Sequence, residues 1–262
     1  MDPCVYQVGE GQGCVIDYCS FHLPINAVLL GKACTATALA KTYKWPHFPL
    51  LICKFLYDQL HQELPPSDAN LPGFHEKIHV HRSIVATFHT PSDLSGIGGM
   101  WCEWIQAVPT WHNGPCWDDC VFVVTNESLK DMHGLDIARI WLFLSISYCG
   151  TTYPCALVHW YSHVGDKPDE KTGMWIVQLD YHGDKTPFKG IIHIDCIMWA
   201  AHLIGVYGPT PIPQHWTLHD LLDSFGSYYS GLRKHCNVWQ LWIICSVVLY
   251  GGEISLSITE RK

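Results

Sequence analysis

Two long apolar runs separated by two residues constrain this chain more than anything else in it. Residues 137–148 (IARIWLFLSISY) and 151–163 (TTYPCALVHWYSH) are rich in Ile, Leu, Phe, Tyr and Trp, side chains that suit a half-buried pleated surface. Cys149-Gly150 stands between them. A two-residue break with Gly signals a β-hairpin, because the tight turn needs a positive φ that Gly adopts without steric cost. Such a hairpin puts antiparallel sheet at the centre of the fold. In its first arm Ala138, Ile140, Leu142 and Leu144 fall on alternate positions and are expected on one buried face, with Leu157 and His159 across from them or nearby.

Further strands are expected around it. From residue 78 to 88 Ile78, Val80, Arg82, Ile84, Ala86 and Phe88 alternate with His79, His81, Ser83, Val85 and Thr87, the period of one strand. Residues 119–125 (DCVFVVT) form a short buried strand, 174–179 rejoin the sheet after the polar loop 165–173 (GDKPDEKTG), and 191–194 and 202–207 supply two more. Many short strands with few helices imply a small antiparallel barrel or curled sheet.

The flanks read differently. From Phe21 to Leu64 the pattern is helical: Ala27, Leu29, Leu30, Ala33, Ala36, Leu39 and Ala40 suggest one helix ending before Pro46. Leu50, Leu51, Phe55, Leu56 and Leu60 suggest a second, opened by Pro49. The Pro-rich stretch 65–73 (PPSDANLPG) is the linker. Residues 217–230 read as a helix, and 239–250 (WQLWIICSVVLY) are apolar but far short of the ~20 residues a bilayer span needs. The expected fold is therefore α+β: a helical segment over 1–64, a linker over 65–73, a mostly antiparallel barrel-like domain over 74–208, then a helix and apolar tail over 209–262.

Composition narrows the function classes. Hydrophobic residues make up 48% and charged ones 15% of the chain, which speaks against disorder. A formal net charge of −8 discourages nonspecific nucleic-acid binding, which needs clustered Lys and Arg. The 13 Cys are scattered and odd in number, and the start MDPCVYQVGEGQG has neither a basic opening nor an apolar core of the signal-peptide kind. Reduced thiols inside the cell are the expectation, with no membrane association.

Three blocks carry a likeness to a known group: 91–100 (PSDLSGIGGM), 153–176 (YPCALVHWYSHVGDKPDEKTGMWI) and 200–208 (AAHLIGVYG). In this order they resemble the C-terminal region of Plavaka-type transposases, fungal DNA transposons related to the CACTA group. The resemblance runs from about Ile16 to Tyr229. It implies a degenerate fragment that lacks the nuclease core, and a non-catalytic accessory role without cofactors. DNA, chromatin or transposase subunits would be the partners in an intact ancestor, with a nuclear location if function survives.

The same likeness bears on the scarcity of Arg, which occurs only at 82, 139, 233 and 261. The family pattern expects Arg where this chain has Trp101, Cys102, His112, Trp117, His133, Trp141, Cys149, His163, Trp199 and Gln214. Codons for these residues lie one transition from CGN arginine codons, so the acidic balance is expected to be acquired damage.

Two alternatives come from the residues themselves. Cys102, His112, Cys116 and Cys120 lie within nineteen residues and are of zinc-ligating type, as a host-recruited zinc- or protein-binding module would require. No Cys-x2-Cys pair is present, however, and the family pattern supports only Cys120, so no metal site is assigned. Cys155, His159 and His163 are spaced to share a strand face, the raw material of a thiol hydrolase; Cys155 sits in an apolar run, which favours an inert buried thiol. His79 and His81 also share a face but lack a third ligand. Asp118, Asp119, Asp180 and Asp195 fall near strand ends without the strand order of a ribonuclease-H-type nuclease, so two-metal chemistry is not expected from them. Residues 96–99 (GIGG) lack the Lys-Ser/Thr sequel of a phosphate loop and read as a turn braced by Asp93 and Ser95. Trp101, Trp104, Trp111 and Trp117 are the candidates for an exposed aromatic surface that meets a protein partner.

Overall fold

In the computed structural model of the chain, residues 19–22, 33–61, 71–89, 100–110, 115–129, 131–206 and 221–230 are described. In chain order the elements are β1 (Cys19–His22), α1 (Ala36–Thr42), α2 (Phe48–Leu60), β2 (Ile78–His81), β3 (Ser83–His89), β4 (Met100–Val108), β5 (Trp117–Asp118) and β6 (Cys120–Val124). Then follow β7 (Leu135–Tyr148), β8 (Thr151–His163), β9 (Trp175–Leu179), β10 (Lys189–His193), β11 (Ile197–Ala201), β12 (Leu203–Gly205), α3 (Leu221–Ser224) and β13 (Tyr228–Ser230).

The central hairpin forms where the sequence places it. Tyr148 pairs with Thr151, and the turn uses Cys149 at φ 49° and Gly150 at φ 81°, the two positive values that a tight two-residue turn requires. Its arms, 14 and 13 residues long, are long enough to serve two structures at once. The half nearest the turn joins β2 and β10, while the far half joins β6 and β9.

Around the far half the sheet runs β11-β6-β7-β8-β9-β13-β12. β11 and β12 stand at opposite ends of that order, yet only His202 separates them in the chain, so the sheet curls into a nearly closed barrel. Its interior holds Cys120, Phe122, Leu135, Ile137, Tyr161, Val177, Ala201 and Tyr228. Near the turn, the same face of the hairpin presents Leu142, Leu144, Ile146, Cys155 and Leu157 to α1 and α2. Helix α1 is capped by Thr35, whose Oγ1 accepts from the Ala38 amide at 3.2 Å, and α2 carries Pro in its first turn, where the missing N–H costs nothing. Phe48, Ile52, Phe55 and Leu56 recur at three and four residues and turn one face of α2 into this core. The opposite face of the hairpin (Ala138, Ile140, Phe143, Ala156, Val158) packs on Ile84, Ala86, Ile105 and Ala107 of a second sheet ordered β1-β3-β4-β5. Helices, barrel sheet and second sheet thus stack in three layers at this end.

The α+β class and the barrel-like sheet agree with the sequence reading; four local expectations do not. The alternating run from 78 to 88 is two strands, bent at Arg82: β2 pairs with β7, whereas β3 pairs with β4 in the other sheet. Period-two alternation continues through such a corner, so the pattern alone conceals it. Phe21 belongs to a strand paired with β3 and not to the helical segment. Residues 228–230 pair with both β9 and β12, so the helix expected over 217–230 is limited among the described residues to the turn of α3; burial of Tyr228 inside the barrel outweighs its local helical pattern. Finally, Ala138 and Ile140 do not share a face with Leu142 and Leu144, because a bulge between Ile140 and Leu142 moves the alternation by one. Residues 65–70 of the linker, the turn over 96–99 with Asp93 and Ser95, and the tail after Ser230 lie outside the described residues. No described helix is long and apolar enough to cross a membrane.

Candidate functional site

The boundary between barrel and helical layer gathers the unusual chemistry of the chain. Arg139 pairs with His159 across β7 and β8, and Lys189 pairs with His159 across β10 and β8. Directly opposed residues point to one side of a sheet, so three basic side chains form a row on a largely buried face. The protein handles each charge differently.

Arg139 is 8% exposed. Its Nη1 donates to Asp223 Oδ1 at 2.6 Å, and its Nη2 lies 3.5 Å from Asp118 Oδ2. Burial alone would lower its pKa, but the two carboxylates more than offset that and raise it. The pair anchors α3 against the barrel. His159, 4% exposed, donates from Nε2 to the carbonyl of Asp180 at 2.9 Å; a carbonyl only accepts, so the proton sits on Nε2. Burial pushes this imidazole below its ordinary pKa, and it is held neutral.

Lys189 has a third solution. Its Nζ lies 3.2 Å from the ring centroid of Trp141 and 4.9 Å from that of Trp45. Trp141 meets His159 edge to face at 6.5 Å, and His159 meets Tyr181 in the same way at 5.4 Å. Among the described residues no carboxylate or carbonyl accepts from the amine, and burial lowers its pKa to about 8. Tyr181, half exposed, forms the rim. It also borders an open cleft of about 550 Å³ lined by Gln178, Leu179, Asp223, Phe225 and Gly226.

The residues singled out from sequence fall elsewhere. Of the zinc candidates, His112 lies outside the described residues and Cys102 lies on β4. Cys116 is exposed and bonded to Asp118. Cys120 is buried in the barrel, where it donates to Tyr161 Oη at 3.9 Å and its thiol is pushed up to about 12; a zinc thiolate would have to form against that burial. No group of three or more His, Cys, Asp or Glu among the described residues is placed to hold a metal.

Cys155, His159 and His163 do share the expected face, but four residues along a strand span about 13 Å. The thiol is therefore out of reach of either imidazole. Cys155 is fully buried under the helices, and burial alone raises its pKa. His163 belongs to the barrel end, 3.9 Å from Asp136 and edge-on to Trp175. Of the paired histidines, His79 is exposed while His81 is buried and bonded to Ser145 Oγ at 2.8 Å. Asp119 accepts from the Gln106 amide and from Trp117 Nε1, both at 2.7 Å, and Asp195 lies 3.2 Å from His193. These carboxylates brace strand ends; they do not converge.

Of the four tryptophans expected at an aromatic surface, two are exposed. Trp104 is 58% and Trp117 42% exposed. Trp117 pairs with Val108, four residues along β4 from Trp104, so both indoles lie on the outer face of the second sheet. The side chain of Trp101 is not described, and Trp111 lies outside the described residues. Sequence reasoning missed the row and its box, since Trp45, Trp141 and Lys189 are separated by long stretches of chain. The available signal was the register of the central hairpin, which puts Arg139 opposite His159.

Comparison with known proteins adds nothing to this geometry: no family model matches the chain, and neither a curated protein nor a solved structure matches it.

Proposed function

We propose that this chain is a non-catalytic accessory region of a transposon-derived protein, and that it acts through protein contacts, with transposase subunits as the partner class. The ancestry rests on the three sequence blocks that resemble the C-terminal region of Plavaka-type transposases. The mode of action rests on one observation above others. Trp104 and Trp117 project from the same outer sheet face while the cores beneath them are closed, and exposed aromatic side chains of this kind are what protein interfaces enrich. The net charge of −8 favours protein over DNA as the partner.

A paired binding measurement tests this. Sedimentation of the chain, alone and mixed with an intact transposase of the group, is expected to show association that W104S/W117S abolishes without loss of fold. Fluorescence anisotropy with duplex DNA at physiological salt is expected to give an affinity weaker than the ~10⁻⁴–10⁻⁶ M of nonspecific binders. Nanomolar DNA binding, or association indifferent to both tryptophans, would overturn the reading.

A further inference from the structure

The geometry points to the Trp45–Trp141 box as a binding site for a methylated ammonium group, in which Lys189 is a resident plug that such a ligand displaces. The walls match that ligand better than they match Lys189. A primary ammonium carries three N–H donors, yet among the described residues nothing in the box accepts from Nζ; its contacts are the two indole faces, at 3.2 and 4.9 Å. A quaternary ammonium has no N–H to satisfy and presents methyl groups to the π faces, the chemistry by which aromatic boxes recognise such cations. Lys189 is thus held half-buried in a site that returns no hydrogen bond among the described residues, consistent with the lowered pKa of its amine.

Exchange is mechanically simple. Lys189 enters the box from β10 on a flexible four-carbon stem, so it can leave by side-chain rotation while its strand stays paired with β8. Outside the box it recovers its water shell. His159 behind Trp141 is neutral and fixed on the Asp180 carbonyl, so it adds no charge that would repel an incoming cation. Trp45 and Trp141 are both partly accessible, and half-exposed Tyr181 stands beyond His159 at the rim. The box opens from the helix-covered face of the barrel sheet, whereas Trp104 and Trp117 lie on the outside of the second sheet, so the inference stands independently of the protein contact proposed above.

The test is a titration of intrinsic tryptophan fluorescence with tetramethylammonium chloride, using sodium chloride at equal ionic strength as control. K189A is expected to show saturable quenching, at least about tenfold tighter than the wild-type chain, as loss of a competing occupant requires. K189A/W141A should lose the response, and K189M, whose apolar side chain fills the box, should not gain it. A folded K189A with no saturable response, or one that binds no more tightly than wild type, overturns the proposal. The wild-type chain gives a second readout that does not depend on K189A folding. Tetramethylammonium at saturation should return Lys189 to an ordinary lysine environment and change the rate of its labelling by an amine-directed reagent at pH 8, read by peptide mass spectrometry. An unchanged labelling rate overturns it equally.

Discussion

Leu142 and Leu157 stand directly opposite one another on β7 and β8, while one step toward the barrel Ile140 stands opposite Val158, with Trp141 as the extra residue between the two pairs. That bulge divides the central hairpin. On the turn side Leu142 enters the helix-covered core, and beyond the bulge Ile140 enters the core between the sheets. Leu142 is 1% exposed, so Leu142→Ala is expected to cost about 2–5 kcal/mol, a large part of the stability of an ordinary domain. Thermal unfolding measures it, and an unchanged midpoint would show the register to be wrong.

Asp119 gives the chain a distinctive pH dependence. Burial pushes its carboxyl from the ordinary 3.8 up to about 6, against the pull of the Gln106 and Trp117 hydrogen bonds. Between those values the folded chain holds a proton that the unfolded chain has lost, so this contribution to stability is present at low pH and disappears as pH rises toward 6. Buried His81 and His159 and half-buried His163 are shifted down from 6.5 and act in the opposite sense, stabilising less as pH falls below that value. Denaturant midpoints of wild type minus Asp119→Asn, taken from pH 4 to 7, isolate the carboxyl. The difference should fall across this window, and a flat difference would refute the assignment.

The hairpin turn is improvable. Cys149 occupies φ 49°, a region that Asn tolerates far better than Cys. Cys149→Asn should therefore stabilise by a few tenths of a kcal/mol up to about 1, the range of turn and backbone effects. Gly150→Ala, at φ 81°, should destabilise by about 1 kcal/mol or more. Chemical denaturation distinguishes the two signs.

The arginine-loss expectation makes a structural claim that substitution can test. His133 and Cys149 are exposed, so Arg at each should fall within about ±0.5 kcal/mol of wild type; Trp117 is exposed too, but Arg there would also replace the donor to Asp119 Oδ1. Trp199, partly buried, packs edge-on against Phe122 of the barrel core, and Arg there would give up that packing and desolvate part of a guanidinium, so it should destabilise where the exposed positions do not. Trp141→Arg would set a second cation against Lys189. Positions 117, 133 and 149 are where restored arginines are expected to strengthen DNA binding and steepen its salt dependence. A tolerated W199R would show that this interior accepts charge after all. Genomic TG or CA dinucleotides at the codons of Trp101, Cys102, Trp117, Trp141 and Trp199 would support the genetic origin, and related copies with the same residues would remove it.

Much of the sheet was readable because its strands are long or bounded by glycine. Residues 137–163 specify their hairpin locally, and the polar loop 165–173 separates β8 from β9 where expected. Arg82 hides a change of sheet because side-chain alternation is the same on both sides of a corner. Trp141 hides a bulge because an apolar run offers no polar residue to reveal a shift by one. The basic row was illegible for a related reason: Arg139, His159 and Lys189 meet only through strand register, and Trp45 arrives from a separate helical layer. The spacing of Cys155, His159 and His163 misled in the other direction, since sharing a strand face does not bring side chains within bonding distance.

The one-residue link at His202 decides how far this sheet can open. A strand edge left open invites pairing with a foreign chain, and a curled sheet of this order has such an edge on β11 and another on β12. Because the chain passes from Ala201 to Leu203 through a single residue, β11 runs on into β12 end to end, and the backbone itself ties one end of the sheet order to the other. That single-residue join at His202 fixes the separation of the two ends, so the curl of the sheet cannot open without bending the backbone there.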